Sequence, residues 1–105
     1  MQLNVALLGG GSWGTTVASL VARNTQVKLW ARDADAVAQM NTERRNEKYL
    51  PGATLPDKLT ATTDLAEAVA SADVLIMGIP SHGFRSVLEQ VKPHLRAWVP
   101  VISLT

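Results

Sequence analysis

The chain has 105 residues, enough for one small domain with a single core. Ten basic residues against nine acidic ones give a net charge of +1, and the basic residues are scattered, so no nucleic acid and no anionic membrane is indicated as a partner. The absence of cysteine excludes disulfides and thiolate metal sites and fits a reducing compartment. No apolar run is long enough to cross a bilayer and no signal peptide is recognisable, so we expect a cytoplasmic protein.

The chain begins with a strand pattern followed by a helix pattern. Leu3–Leu8 is apolar almost throughout, which predicts a strand covered on both faces. Ser12–Arg23 follows a helical period after a run of glycines. We expect one stripe of this helix to pack on the sheet: Trp13, Val17, Leu20 and Val21.

A second strand and a second helix follow. Gln26–Ala31 predicts the strand. Asp33 is placed to cap a helix over Ala34–Thr42, because an aspartate oxygen accepts hydrogen bonds from the first free amides of a helix. This helix is expected to bury Val37 and Met40.

The middle of the chain contains an unusual excursion. Glu43–Leu59 has two prolines, a glycine and no sustained period, which predicts a long ordered loop of functional importance. Leu59–Thr63 then predicts a weak strand. Asp64 and Glu67 have the spacing of a capping box at the start of a third helix, from Leu65.

The last part of the chain predicts a buried strand, a helix and a final strand. Asp73–Ile79 is the strand, stopped by Pro80. A helical stripe then ends at Pro93, and Val101–Leu104 is the fifth strand. The stripe consists of Phe84, Val87, Leu88 and Val91. Strands alternating with helices predict an α/β fold of the Rossmann type, a doubly wound parallel sheet of five strands in the order 3-2-1-4-5 with helices on both faces.

Three glycines at the junction of the first strand and the first helix match a phosphate-binding pattern. Gly9, Gly11 and Gly14 match G-x-G-x-x-G in the required context of strand, turn and helix. In such a turn Gly9 allows the tight exit from the strand, Gly11 lets a pyrophosphate approach the backbone, and Gly14 lets the helix pack closely on the sheet. The free amides and the positive end of the helix dipole then face the phosphates. The alternatives are a turn that only accommodates chain geometry and the related bend of methyltransferases.

The end of the second strand indicates which cofactor is held. An acidic residue there commonly accepts hydrogen bonds from the ribose hydroxyls of NAD, but "LWARD" places Arg32 first. A guanidinium is suited to a 2′-phosphate, so NADP should be accepted as well as NAD. In the alternative interpretation, Arg32 is a solvated surface residue and Asp33 only caps a helix.

Three further residues have two interpretations each. Ser12 is a helix cap, a phosphate ligand or both. The ring of Trp13 has the spacing of a core residue, whereas its amide lies in the turn where phosphates are expected. His82 follows the fourth strand and suggests a general base, but without a partner carboxylate we favour an exposed loop histidine.

Taken together, the motifs resemble the bacterial NAD(P)-dependent glycerol-3-phosphate dehydrogenases over nearly the whole chain. The stretches "GSWGT" and "NEKYLPG" are much more specific than the glycine pattern. The matching segments are "GGGSWGTTVA" from Gly9, "LWARD" from Leu29, "MNTERRNEKYLPGATLP" from Met40, "ATTDLAEAV" from Ala61, "ADVLIMGIPSH" from Ala72 and "VISLT" at the end.

The resemblance implies reversible hydride transfer between NAD(P)H and dihydroxyacetone phosphate, giving sn-glycerol 3-phosphate for phospholipid synthesis. It also implies that Ser12, Trp13, Arg32 and Tyr49 contact the cofactor beside the glycine turn. Tyr49 would be held there by the rigid bend at Pro51 and Gly52, although a tyrosine that only fastens a surface loop is the alternative.

The resemblance stops short of the catalytic residues. In the family the fifth strand runs into a Lys-Gly pair and then a helical substrate domain, whereas Thr105 is the last residue here. We therefore expect residues 1–105 to be the NAD(P)-binding part of a dehydrogenase, inactive alone, with no catalytic or metal-binding residue to assign. Such a piece should bind cofactor weakly, expose a sheet edge and self-associate as a homo-oligomer. The rival hypotheses are another Rossmann dehydrogenase, of the hydroxyacid or sugar-phosphate type, and a regulatory module that senses NAD(H).

Overall fold

The computed structural model describes residues 3–9, 11–96 and 98–104. Two residues used in the sequence analysis lie outside the described residues. They are Gly10 of the glycine turn and Thr105, where the resemblance to the family stops. Five parallel strands form one sheet in the order β3-β2-β1-β4-β5, so the predicted strand order is confirmed. The strands are β1 (Asn4–Leu8), β2 (Gln26–Trp30), β3 (Leu59–Thr62), β4 (Val74–Met77) and β5 (Val101–Ser103).

Helices cover both faces of this sheet, as predicted. They are α1 (Ser12–Val21), α2 (Ala34–Glu43), α3 (Leu65–Ala70) and α4 (Ser81–Val91), with a 3₁₀ turn at Lys92–His94. Because side chains alternate along a strand, Leu7 joins the core beneath α1 and α2, whereas Leu8 joins the core beneath α3 and α4. The predicted and observed bounds of the five strands and of α1 and α2 differ by at most two residues.

The second and fourth helices pack as the sequence predicts. Met40 is fully buried and Val37 is 9% exposed. On α4, Val87 and Val91 are completely buried, while Phe84 and Leu88 pack against them at the edge of the core. Both helices therefore present their predicted apolar stripe to the sheet.

The predicted stripe of α1 is only half right, because Val17 and Val21 pack against the core whereas Trp13 and Leu20 do not. Trp13 is 63% exposed and Leu20 is 57% exposed, whereas Gly14 and Ala18 face the sheet. A Cβ on Gly14 would overlap the carbonyl oxygen of Gly9, so the helix can approach β1 only with its glycine side inward. Trp13 is offset from Gly14 by about 100° around the helix axis. Close packing at Gly14 therefore decided which face of α1 is buried.

The predicted capping box at α3 is only half formed. The Asp64 carboxylate accepts a hydrogen bond from the Glu67 amide at 3.2 Å, which confirms the cap. The Glu67 carboxylate instead accepts from the hydroxyl of Thr62 at 3.0 Å, and the Thr62 hydroxyl oxygen accepts from the Asp64 amide at 3.0 Å. The Thr62 hydroxyl thus replaces the Glu67 carboxylate as the acceptor for the Asp64 amide.

Asp73 ties the start of β1 to the segment that precedes β5. Its carboxylate accepts a hydrogen bond from the Asn4 amide at 2.8 Å and pairs with Arg96. The Asn4 amide and the Arg96 guanidinium hold the pKa of Asp73 below its ordinary value of 3.8. A carboxyl whose pKa is lower in the folded than in the unfolded protein stabilises the fold at pH values above 3.8. This stabilisation is lost as the pH falls through the folded-state pKa.

Replacing Asp73 by asparagine should therefore weaken the dependence of the free energy of unfolding on pH in the acid range. Above pH 3.8 the variant should be less stable than the unmodified protein, and the difference should shrink as the pH falls below that value. Urea denaturation at a series of pH values measures both curves. Parallel curves down to the acid transition would show that Asp73 does not contribute in this way.

The edge strand β5 is open, as expected. Val101 is 44% exposed and Ile102 is 49% exposed, and the neighbouring Trp98 is 96% exposed. The exposed edge and apolar surface are thus present, while the self-association expected from them stays a prediction.

Candidate functional site

A cleft of about 560 Å³ lies at the carboxyl ends of the central strands. Open α/β sheets bind ligands at this edge, where the strand order reverses between β1 and β4. The residues that the sequence singles out for cofactor contact all line this one cleft: Gly9, Gly11, Ser12, Trp13, Gly14, Arg32 and Tyr49. The turn after β1, the end of β2 and the long loop after α2 are therefore brought together.

The protein itself requires two of the glycines in the turn. Gly9 has a φ of +124°, a conformation that residues with a side chain rarely adopt, and a Cβ there would overlap the backbone of Gly78. Its amide donates to the Trp30 carbonyl at 2.9 Å, which fixes the exit of β1 against β2. At Gly14, the Gly9 carbonyl oxygen leaves no room for a Cβ. These two positions therefore have the structural roles predicted for them.

Gly11 is different, because no contact within the protein requires it. Its backbone is extended, with a φ of −71° and a ψ of −175°, which any residue can adopt. A Cβ at Gly11 would have no heavy atom within 4 Å, so it would point into open space in the cleft. The missing side chain leaves room at the helix N-terminus for a group from outside the protein.

The N-terminus of α1 has no side-chain cap. The N-cap residue is Gly11, so the interpretation of Ser12 as the cap is wrong. The first hydrogen bond of the helix runs from the Thr15 amide to the Gly11 carbonyl at 2.8 Å. The amides of Ser12, Trp13 and Gly14 come before it and therefore have no acceptor within the helix. Such amides and the positive end of the helix dipole attract anions.

The exposed ring of Trp13 rules out the interpretation of this residue as a core side chain. Trp13 instead forms part of the wall of the cleft. Ser12 is also exposed and lines the same wall. Both residues are therefore accessible to a ligand in the cleft.

Arg32 lies at the end of β2 with its guanidinium over an aromatic ring. Its guanidinium carbon is 5.5 Å from the centroid of the Trp30 ring, an arrangement typical of a cation–π interaction. The Trp30 ring is itself fixed, because its Nε1 donates to the Thr63 carbonyl at 3.0 Å. Among the described residues no carboxylate forms an ion pair with Arg32, which leaves this exposed cation available for an anionic ligand.

Asp33, the next residue, is fully engaged by the protein. Its Oδ1 accepts from the amides of Asp35 and Ala36 at 3.0 and 3.1 Å, so the predicted cap of α2 is confirmed. Its Oδ2 lies 3.3 Å from the Nζ of Lys48. The Ala36 amide and the Lys48 ammonium hold the pKa of Asp33 below its ordinary value, and the Asp33 carboxylate raises the pKa of Lys48.

The long loop after α2 is ordered and fastened by Asn46. This side chain is completely buried; its Nδ2 lies 3.5 Å from the Thr15 hydroxyl, and its Oδ1 accepts from the Tyr49 amide at 3.3 Å. The Asn46 carbonyl accepts from the Leu50 amide at 2.7 Å. Asn46 therefore anchors the loop to α1, and the half-buried Tyr49 of the same loop lines the cleft.

Arg44 fastens the far end of the same loop. It ends α2 in the left-handed conformation, with a φ of 59°. Its guanidinium donates to the carbonyls of Pro56 and Leu59, the latter at 2.7 Å. Its own carbonyl accepts from the amide of buried Leu55 at 2.6 Å. The sequence pattern did not point to Arg44, because an arginine in a polar segment carries no signal of burial.

His82 is exposed, as expected, but it lies in the first turn of α4 and not in a loop. Pro80 is the N-cap of this helix, so the helix begins directly after the proline that ends the preceding strand segment. His82 lines the cleft, and no carboxylate among the described residues pairs with it. Nothing in its surroundings marks it as a general base.

The part of the cleft wall that follows β4 was not predicted residue by residue. It consists of Gly78, Ile79, Pro80 and Gly83, after β4. The available signal was their position at the carboxyl end of a buried strand. Over the described part of the chain, no group of acidic or histidine side chains is arranged to hold a metal ion. None of the helices in that part has the length and apolar character needed to span a membrane.

Comparison with known proteins identifies the family of the chain. A family described as "NAD-dependent glycerol-3-phosphate dehydrogenase N-terminus" matches residues 4–105. The chain is 64% identical over its whole length to a glycerol-3-phosphate dehydrogenase (NAD(P)+) of Sphingopyxis alaskensis, covering 32% of that protein. It is 52% identical over 95% of its length to one of Mycobacterium avium, covering 30% of that protein.

Solved structures show the same relationship. The glycerol-3-phosphate dehydrogenase of Saccharomyces cerevisiae superposes on 98% of the chain with a TM-score of 0.89 and 33% identity, and the chain covers 33% of it. The enzyme of Coxiella burnetii gives the same TM-score and identity over 97% of the chain, which covers 32% of that enzyme. The chain thus spans about a third of the length of the relatives it matches. It belongs to the family of NAD-dependent glycerol-3-phosphate dehydrogenase N-termini.

Proposed function

We propose that residues 1–105 form the coenzyme-binding domain of an enzyme that reversibly reduces dihydroxyacetone phosphate to sn-glycerol 3-phosphate with NAD(P)H. Support comes from the family match and from relatives whose names specify glycerol-3-phosphate dehydrogenase and NAD(P)+. The bound nicotinamide supplies or accepts the hydride. We place the proton donor and the substrate phosphate site in the two thirds of such proteins that this chain does not match.

In this proposal, the backbone of the glycine turn holds the coenzyme diphosphate. The amides of Ser12 and Trp13 donate to it, and Gly11 lets it approach. Tyr49 and the Trp13 ring bound the cleft in which the coenzyme is oriented, and Arg32 binds the adenosine ribose or its 2′-phosphate. The contrast between Gly11, which the protein does not require, and Gly9 and Gly14, which it does, is the strongest structural support.

Three broader assignments belong to the same proposal. The product would enter phospholipid synthesis, and the protein would act in the cytoplasm. The protein would form a homo-oligomer in which the exposed edge at Val101 and Ile102 is covered.

Two measurements test the function. Calorimetric titration with NADPH and NADH should show one binding site. The parent protein, the longer enzyme to which residues 1–105 are proposed to belong, should oxidise NADPH when dihydroxyacetone phosphate is added. The same assay with 2-oxo acids and sugar phosphates distinguishes other dehydrogenases. Coenzyme binding without turnover of any of these substrates by the parent protein would favour a sensor of NAD(H) and contradict the proposed enzyme.

Replacing Arg32 by aspartate should shift the coenzyme preference toward NADH. The substitution exchanges a cation that suits a 2′-phosphate for a carboxylate that repels it and accepts hydrogen bonds from ribose hydroxyls. We expect the ratio of NADPH to NADH affinity to fall at least about tenfold, or about 1.4 kcal/mol. Calorimetry with both coenzymes measures this ratio, and an unchanged ratio would remove Arg32 from the site.

A further inference from the structure

Lys48 and Asp33 form an ion pair at the rim of the cleft. The Lys48 Nζ is 3.3 Å from Asp33 Oδ2, and Asp33 Oδ1 is occupied by the first amides of α2. Both carboxylate oxygens of Asp33 therefore have partners within the protein. Lys48 also lies over the Tyr49 ring, 5.2 Å from its centroid. The long loop thus delivers a cation to the acidic residue at the end of β2.

This arrangement removes the feature that ordinarily selects NAD. A free carboxylate at the end of the second strand accepts hydrogen bonds from the ribose hydroxyls, and its charge repels a 2′-phosphate. Here the carboxylate of Asp33 is turned to α2 and neutralised by Lys48, while Arg32 beside it has no carboxylate partner among the described residues. The remaining charge that faces a ligand at this corner is positive.

Lys48 acts on this corner through Asp33. Asp33 lines both the main cleft and a neighbouring cleft of about 450 Å³ beside α2. Lys48 lines the neighbouring cleft together with Gln39 and Glu43, and it is not among the residues that line the main one. Its ammonium lies 3.3 Å from Asp33 Oδ2, so Asp33 connects Lys48 to the main cleft.

We propose that Lys48 is a positioning residue for coenzyme choice: by holding and neutralising Asp33, it makes the cleft favour a coenzyme with a 2′-phosphate, which Arg32 receives. This inference rests on the proposed function, since it concerns the same cleft.

Four variants test this role: Lys48→Met, Asp33→Asn, the double variant, and Lys28→Met as a matched control. Asparagine is as good a helix N-cap as aspartate, so Asp33→Asn removes the charge and keeps the cap. Lys28 forms an ion pair of similar length with Glu67, at 3.4 Å, but lines a different cleft. Calorimetry at low ionic strength gives the dissociation constants of NADP⁺ and NAD⁺. The dissociation constants of adenosine 2′,5′-bisphosphate and 5′-AMP measure the effect of the 2′-phosphate without the nicotinamide half of the coenzyme.

Lys48→Met should lower the preference for the 2′-phosphorylated ligand of each pair about threefold to fivefold, the upper part of the range of an exposed ion pair. In the Asp33→Asn background the same substitution should change the preference by less than about 1.5-fold, because the charge on which Lys48 acts is gone. Lys28→Met should leave the preference unchanged.

Two results would overturn the inference while leaving the proposed function intact. One is an unchanged preference in Lys48→Met; the other is an equal loss with and without Asp33, which would mean that Lys48 contacts the phosphate directly. Failure of the unmodified protein to bind either coenzyme would instead contradict the proposed function, and this inference with it.

Discussion

Replacing Gly11 by valine should remove most coenzyme binding while the fold stays intact. The position has an extended backbone, and no heavy atom beyond the two chain neighbours lies within 4 Å of an added Cβ, so the start of the new side chain meets open space. The new methyl groups would instead fill the space beside the α1 amides where the diphosphate is proposed to lie. We expect affinity for NADPH to fall at least about tenfold, or about 1.4 kcal/mol.

The stability of the Gly11 variant should change by less than about 1 kcal/mol, since valine is only a poorer N-cap than glycine. Calorimetric titration and urea denaturation measure the two quantities on the same sample. Gly11→Ala should show a smaller loss of affinity, and Ala34→Val, in the first turn of α2 outside the cleft, should show none. Undiminished affinity in Gly11→Val would mean that no ligand approaches this backbone.

Replacing Gly14 by alanine should have the opposite effect, a large loss of stability. The added methyl group overlaps the Gly9 carbonyl oxygen, which is backbone and cannot rotate away. Either α1 must move off the sheet or the turn at Gly9 must distort. Overpacking of this kind costs about 3 kcal/mol. For a domain of this size the melting temperature should fall by roughly 10 to 20 °C, as thermal denaturation followed by circular dichroism would show.

Gly11→Ala is the matched control for this variant. It adds the same methyl group to the same turn, three residues away, in open space. We expect its melting temperature to lie within about 5 °C of that of the unmodified protein. Equal melting temperatures for Gly11→Ala and Gly14→Ala would contradict the close packing of α1 on β1.

Local signals in the sequence determined the main features of the fold. The apolar run of β1 and the stripe on α4 follow the periods of a strand and a helix, and Asp33 and Asp64 cap the helices that they were predicted to cap. Because alternating strands and helices allow few topologies, the strand order followed from these elements. The gathering of the predicted residues around one cleft then followed from the position of each at the end of a strand or at the turn.

Contacts between segments distant in the chain could not be predicted in this way. The buried face of α1 is set by the approach of Gly14 to Gly9, which outweighs the apolarity of Trp13 and Leu20. Asn46 is polar and lies in an irregular loop, yet it is completely buried, because its hydrogen bonds join that loop to α1. The Lys48–Asp33 ion pair likewise depends on how the loop folds back. Such pairings leave no periodic trace in a single sequence.

The binding of a coenzyme diphosphate by the backbone of the β1–α1 turn is tested most directly by a crystal structure of the protein grown with saturating NADPH. We predict density for the diphosphate within hydrogen-bond distance of the Ser12 and Trp13 amides, over the open side of Gly11, with the adenosine directed toward Arg32. Density for the coenzyme elsewhere on the protein, or an empty cleft at saturating concentration, would contradict this account.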